Sequence, residues 1–404
     1  MGSFVIGPFI TNSRTLDTRE RDLLANNVNW TLSTLEPIHP ATVLGTANAQ
    51  TVSFDIVRSD IDNVQSDALT LASYSATSNL IDLNHDRDIK TQLNLALRQS
   101  DALDPYVDYV SVWLNREWDD GRDSTRDQLG LFGVRVPPGT RTVERADAVY
   151  PGYDLTATLA RYAFSDSYNI AASSNYVTAV TDILALAGIT RHLIEPTTQT
   201  TAAVISYPPG TTYLAACNAL LQSIGYYSLS AMPDGRLMSR PTRDLRYVEP
   251  YRTITDADLM RPVEVQPLDT TVANVIIVVK DNLNAAPLTA TRRNDAADSP
   301  TSTANLGTIT RVVSRGDLAD QDAVDALADR LLSEGRSFYQ TAKLSVLPDP
   351  RALIPHQTIE LNLTGKLAVL NGRWWCRKVK VPLNTKATEL EINRISDTIN
   401  GSII

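Results

Sequence analysis

The stretch that most restricts how this chain folds is residues 204–241, VISYPPGTTYLAACNALLQSIGYYSLSAMPDGRLMSRP. It reads as one compact unit: a strand, a capped helix and a two-strand hairpin. Thr211 or Thr212 supplies a side-chain oxygen for a free N–H of the first helical turn. Leu214, Cys217, Leu220, Leu221 and Ile224 then recur at helical spacing and make one apolar face. Gly225 stands where a helix closes in the left-handed conformation. Segments 226–231 and 236–240 flank Pro233-Asp234-Gly235, a turn whose glycine takes φ > 0 at no steric cost. The tip of this turn is a candidate outward contact. The unit holds no nucleophile beside a base, no metal cage and no phosphate cradle, so it is a packing unit.

Residues 166–203 repeat the plan. Ser173 or Ser174 starts a helix with Val177, Val180, Ile183, Leu184 and Ala187 on one face, and Gly188 closes it. On either side of this helical insert the style is β. To the N-terminal side, Val28, Trp30 and Leu32 alternate with polar residues, as do Val52, Phe54 and Ile56, and Leu69 and Leu71 mark a short strand. Residues 106–118 and 129–136 read as a hairpin around the loop DDGRDSTRD. Segment 86–99 fits a helix or a strand, because Ile89, Leu93 and Leu97 serve both. Residues 142–149 form one more strand, and Asp154 caps a short helix carrying Leu155, Leu159 and Tyr162. To the C-terminal side, 272–280 (VANVIIVVK) suits a strand buried on both faces. Segment 281–306 is a long polar loop, and 308–314 resumes a strand. Residues 321–335 form a helix with Val324, Leu327, Ala328, Leu331 and Leu332 on its face. Closing strands are expected at 338–347, 358–363 with 367–370, and 374–381 with 390–395.

A chain of 404 residues exceeds one ordinary core. We therefore expect three units: an N-terminal arm and first β unit at 1–165, the α/β insert at 166–245, and a second β unit at 246–404. The fold class is α+β, mainly β. The net charge of −9 argues against a surface that grips nucleic acid, which needs clustered Lys and Arg; an acidic wall lets DNA slide past. Arg292-Arg293 is too small a basic spot to change this. The two cysteines, Cys217 and Cys376, exclude a disulfide framework and read as buried free thiols. No apolar run is long enough to span a bilayer, and residues 1–22 lack the form of a secretory signal, so we expect synthesis in a reducing cytosol and no stable membrane insertion.

Chemistry-bearing motifs are missing. His39, His85, His192 and His356 lie far apart, at no zinc-like spacing. His39 and His356 neighbour proline and read as exposed loop histidines. No nucleophile elbow, phosphate loop or dinucleotide fingerprint occurs. The Asp-rich loop 119–127 lacks the ligand order of a calcium site. Glu117 beside Trp118 reads as a strand end beside a core tryptophan. We assign no catalytic, cofactor-binding or metal-ligating residue and expect no enzyme. Trp30, Trp113, Trp118, Trp374 and Trp375 fall in or at the ends of strands and read as core, which disfavours an aromatic sugar platform.

Four segments together resemble the baseplate-hub or tail-tip proteins of tailed bacteriophages, the minor tail proteins of actinobacterial siphophages among them. They are LGLFGVRVP (129–137), GYDLTATLA (152–160), VTDILALAGI (180–189) and 207–241, with its Pro-Gly-Thr, its helix ending Leu-Leu-x-x-Ile-Gly-Tyr and its Asp-Gly hairpin. The resemblance implies two β-barrel-like tube domains joined by the small insert, in a homotrimer whose six similar domains meet a six-fold tail tube. It implies a place in the virion at the tail tip, with distal tail or tail tube proteins, the C-terminus of the tape-measure protein and other tail-tip or fibre proteins as partners, and DNA only in transit through the ring. The sequence closes at Ile404, soon after the second β unit, so no lytic or fibre-like extension is expected. The N-terminal arm, edge strands and segment 281–306 are the expected contacts. Receptor or carbohydrate binding, and cell-wall hydrolysis, are the rival functions.

Overall fold

The computed structural model describes residues 49–57, 64–66, 79–98, 108–117, 124–135, 147–243, 245, 248–260, 262–266, 271–280, 287–296, 299–315, 318, 321–337, 340–347, 349–383 and 387–395. The N-terminal arm, the strands expected around Trp30 and Leu69, Trp118 and the loop tip 119–123 lie outside them.

The first β stretch supplies β1 (Ala49–Val57), β2 (Val64–Ser66), β3 (Leu80–Asn84), β4 (Thr91–Arg98), β5 (Tyr109–Glu117), β6 (Thr125–Val134) and β7 (Asp147–Tyr153). The hairpin expected from 106–118 and 129–136 is β5 and β6, in register from Tyr109 opposite Gly133 to Arg116 opposite Thr125. The ambiguous 86–99 segment resolves as β4. Leu93 and Leu95 point into the core on a two-residue period while Asn94 faces out, so the strand alternation overrides the helical one.

Helix α1 (Thr156–Arg161) ends the first unit, and the insert carries β8 (Tyr168–Ile170), α2 (Tyr176–Leu186), β9 (His192–Ile194), β10 (Ile205–Tyr207), α3 (Tyr213–Ser223), β11 (Ser230–Ala231) and β12 (Leu237–Ser239). Thr212 caps α3, its hydroxyl accepting from the Ala215 N–H at 3.2 Å. Asn175, one residue beyond Ser174, caps α2. Asp154 accepts the Thr156 N–H at 2.9 Å and so holds the start of α1. The two helical stripes meet, and Val180, Ile183, Leu184, Cys217, Leu220 and Leu221 join one buried cluster. Each such side chain contributes roughly 1.5–3 kcal/mol before chain entropy is subtracted.

The last stretch gives β13 (Arg252–Thr255), β14 (Glu264–Val265), β15 (Val275–Lys280), β16 (Leu288–Arg293), α4 (Thr303–Leu306), β17 (Thr310–Ser314), α5 (Gln321–Ser337), β18 (Thr341–Val346), β19 (Thr358–Asn362), β20 (Gly372–Pro382) and β21 (Thr388–Arg394). Two expectations are corrected. Segment 281–306 is not a structureless loop, because β16 pairs with β15 inside it. Arg292 turns toward α5 and pairs with Asp325 (2.9 Å) and Asp329 (2.6 Å). Residues 367–370 are not a strand: Gly365–Leu370 forms a 3-10 helix with Leu370 buried.

The fold is α+β and mainly β. One sheet runs in the order β14-β18-β21-β20-β3-β4-β7-β6-β5-β1-β2, with β13 and β19 branching from β20. Its core mixes both β stretches: Leu83, Leu93 and Phe132 share a cluster with Trp374, Val379 and Ile392. A third cluster lies between β15, β16 and α5, around Ile276, Val278, Ala290, Val324 and Ala328.

Candidate functional site

The two β stretches meet along β20. Over Gly372–Trp375 one edge of β20 pairs with β19; over Lys378–Pro382 the same edge pairs with β3. The register with β21 slips between Cys376 and Lys378. A bulge of this kind leaves one residue out of the ladder and bends the strand. The backbone at this slip is used: the Arg377 carbonyl accepts the His85 N–H at 3.2 Å, and the Cys376 N–H donates to Gln357 at 3.0 Å.

His85 follows β3 and His356 precedes β19, so both side chains arrive at this seam. Their rings stack with centroids 4.4 Å apart, and Tyr227 of the insert stacks on the other face of His356 at 3.8 Å. Trp375 lies 5.3 Å from His85. It sits on the face of β20 opposite the core residues Trp374 and Cys376, as strand alternation requires. The His356 N–H donates to Nε2 of His85 at 3.3 Å, and the Arg240 guanidinium donates to the His356 carbonyl at 3.4 Å. His356 adopts φ of +60°, a conformation that costs a residue with a Cβ about 1–2 kcal/mol. The expectation of an exposed loop histidine is thus corrected, because His356 is buried. Nδ1 of His85 and both ring nitrogens of His356 are buried with no hydrogen-bond partner among the described residues. Burial, with Lys90 nearby, pushes the His85 imidazole down to about 3. Burial, His85, Arg240 and Lys90 hold His356 well below its ordinary value.

Next to the stack, Lys90 is buried and donates to the Ser228 hydroxyl and the Leu229 carbonyl, both at 3.1 Å. Its pKa is lowered, first by burial, with the Asp154 charge opposing. Asp154 accepts from the Thr91 N–H (2.8 Å), the Thr156 N–H (2.9 Å) and the Thr156 hydroxyl. Burial raises its pKa despite these bonds. The insert's hairpin also turns inward. A Cβ added at Gly235, where φ is +82°, would lie 2.6 Å from Leu131 Cδ2 on β6, and Met232 and Pro233 line the same crevice as Leu131 and Phe132. The tip expected to reach outward therefore docks on the large sheet.

The remaining candidates behave as follows. Cys217 and Cys376 are free and buried, and burial pushes each thiol up to about 12. Trp113 and Trp374 are core, with Arg126 lying 4.6 Å over the Trp113 ring. Asp127, from the Asp-rich loop, pairs with Arg116 at 2.6 Å. Among the described residues no group of three His, Cys, Asp or Glu side chains is placed to hold a metal ion, and no helix is long and apolar enough to cross a membrane. A cleft of about 750 Å³ separates the insert from the third cluster; Val204, Tyr207, Asn218 and Gln222 face Lys280 and Arg315 across it. Exposed apolar side chains include Met260 and Val265 beside edge strand β14, and Val312 on edge strand β17.

No family model matches the chain, and no curated protein matches it by sequence. Solved structures do. A tail protein from Neisseria meningitidis superposes with a TM-score of 0.58 at 13% identity, covering 85% of this chain and 96% of that one. The tail protein of prophage MuSo2 from Shewanella oneidensis gives 0.56 at 8% identity, over 85% and 98%. A prophage tail protein from Listeria monocytogenes gives 0.50 at 13% identity, over 86% and 95%. At these identities the likeness is one of fold.

Proposed function

We propose that this protein is a non-enzymatic structural component of a bacteriophage tail tip, a hub that links the tail tube to distal or peripheral tail proteins. The observation that carries this reading is the extent of the fold likeness: it spans most of this chain and nearly all of each of two tail proteins, one of them from a prophage. A domain-sized coincidence would cover only part. The architecture suits the task. A sheet threaded by both halves of the chain, with an insert bolted across its seam, resists shear between those halves.

In this reading the chain assembles as a homotrimer built from units at 1–165, 166–245 and 246–404, with the two β-rich units serving as tube domains. Open sheet edges favour assembly, since an unpaired edge is a liability until a neighbour covers it. The edges at β14 and β17, each carrying an exposed valine, are where we place contacts with other copies, tail tube or distal tail proteins, and the tape-measure C-terminus. The charge of −9 suits a channel wall that DNA passes without sticking. The test is mass measurement of the purified full chain followed by cryo-electron microscopy of the species and of a tail that contains it. A three-fold ring at the tail tip is expected. A monomer at all concentrations, found nowhere in a tail, overturns the reading.

A further inference from the structure

Four aromatic rings close the seam along β20, and they come from four places: His85 after β3, His356 before β19, Trp375 on β20, and Tyr227 from the insert. The insert is pinned here by Tyr227 and by Arg240, whose guanidinium holds the His356 carbonyl. With Lys90 and Arg240 beside them, the buried rings are held in the neutral form. An imidazolium beside a second imidazole would face both its partner and the cations around it.

Charged groups surround the stack on three sides. The turn after β3 contributes Asp86 and Lys90, the insert contributes Arg240 with Arg243 and Glu195 behind it, and β20 contributes Arg377. Asp154 lies beyond Lys90. The carboxylates nearest the rings are engaged, while Asp88, exposed in the turn before Lys90, acts on the Lys90 charge. Asp86 is 2.8 Å from the Arg377 guanidinium, Glu195 is 3.2 Å from Arg243, and Asp154 accepts three hydrogen bonds while facing Lys90. A proton arriving on either ring therefore meets the Lys90 and Arg240 charges, and the only carboxylate acting on either ring is Asp86, already paired with Arg377. In neutral His85 the lone pair is on Nε2, which accepts the His356 N–H, so a proton taken there removes that acceptor, while on His356 a ring nitrogen with no partner takes the proton.

We propose that the His85–His356 stack is a proton-operated latch: with both rings neutral it holds the edge of the insert formed by residues 226–241 on the seam, and protonation of the rings releases that edge. The latch needs no partner and stands whether or not the chain is a tail hub. Its strength follows from linkage. In the released form each imidazole regains an ordinary value near 6.5. Between pH 7.5 and 5.5 each then favours release about tenfold, so the two together favour it about 100-fold. The buried values, about 3 for His85 and well below ordinary for His356, leave the latched form unprotonated over that window.

Hydrogen exchange of the full chain, read by mass spectrometry at pH 7.5 and 5.5 and corrected for intrinsic rates, tests this. Wild type is expected to lose protection in 226–241 and 354–358 by about 100-fold while peptides in α5 change little. The His85→Gln/His356→Asn variant, in which asparagine suits the positive φ at 356, is expected to change less than about threefold. Unchanged protection in wild type, or equal acid loss in the variant, overturns the latch. If the variant does not fold, imidazole resonances of wild type decide the matter. His85 and His356 are expected to stay untitrated until 226–241 loses protection. Titration of either ring near 6.5 while that segment remains protected refutes the proposal.

Discussion

The inward docking of the insert's hairpin is tested by two glycines that share a conformation and differ in surroundings. Gly225 has φ of +72° with nothing within 4 Å of an added Cβ; Gly235 has φ of +82° with Leu131 Cδ2 at 2.6 Å and Leu131 Cβ at 3.2 Å. Gly225→Ala carries only the cost of a left-handed alanine, about 1 kcal/mol. Gly235→Ala carries the same cost and must also displace Leu131, which is 8% exposed and has little room to rotate. Overpacking of that kind costs a further 1–3 kcal/mol or so, for a total of about 2–4 kcal/mol. Urea unfolding of the full chain, followed by circular dichroism and by hydrogen exchange of 226–241, measures both variants. Leu131→Ala supplies the control. It loses about 2–4 kcal/mol alone, yet opens the space the new methyl needs, so the double variant is expected to fall short of additivity by about 1–2 kcal/mol. Equal losses for Gly225→Ala and Gly235→Ala, or strict additivity with Leu131→Ala, would show that the tip does not rest on β6.

Three further outcomes are expected. Ellman's reagent at pH 8 should not label Cys217 or Cys376 before global unfolding, because both are buried and their thiols are pushed up to about 12; rapid stoichiometric labelling of the native chain contradicts the packing. Asp154→Ala should cost about 2–4 kcal/mol in denaturant unfolding, since the buried Thr91 and Thr156 N–H groups both lose their acceptor; a loss under about 0.5 kcal/mol refutes that role. Arg292→Ala should cost under about 1 kcal/mol and less still in high salt, because its partners Asp325 and Asp329 are 36% and 62% exposed; a salt-independent loss above about 2 kcal/mol overturns the assignment.

How far the sequence shows the fold depends on the distance over which a residue's role is decided. The insert's helices are legible because their caps and stripes are local: Thr212 lies three residues from the N–H it accepts, and α3 packs on α2 through side chains repeating every three or four positions. β16 is not legible. Leu288, Ala290 and Arg292 alternate correctly, but the inward arginine reads as surface until α5, more than thirty residues on, supplies Asp325 and Asp329. The Leu367–Leu370 run misleads in the opposite sense, since only Leu370 turns fully inward and Asn371 ties the turn back by accepting the Leu363 N–H at 2.6 Å. The joint is least legible of all. His85 and His356 are separated by 271 residues, and the pairing of β3 with β20 that unites them leaves no local trace.

That long-range pairing explains why polar groups collect where a plain core would serve stability better. At the seam β20 exchanges one partner strand for another, and the bulge at Arg377 leaves backbone groups off the ladder, which His85 and Gln357 then occupy. Closing the joint with aliphatic side chains would strip partners from the His356, Thr91 and Thr156 N–H groups and the Leu229 carbonyl, at about 1–3 kcal/mol each. Imidazoles, an ammonium and a carboxylate close it instead, and their pH responses oppose one another. The imidazoles are held below their ordinary values, so their stabilisation is complete above pH 6.5 and falls away as the pH drops toward their folded values. Asp154 is raised, so it binds its proton more readily folded than unfolded, and its contribution grows as pH drops from its folded value toward the ordinary carboxylate range. The imidazole effect is already developing at about pH 6, below the ordinary imidazole value. The imidazoles therefore weaken the joint on mild acidification, while the packed apolar side chains of Leu83, Phe132, Trp374 and Val379 keep the two β stretches together.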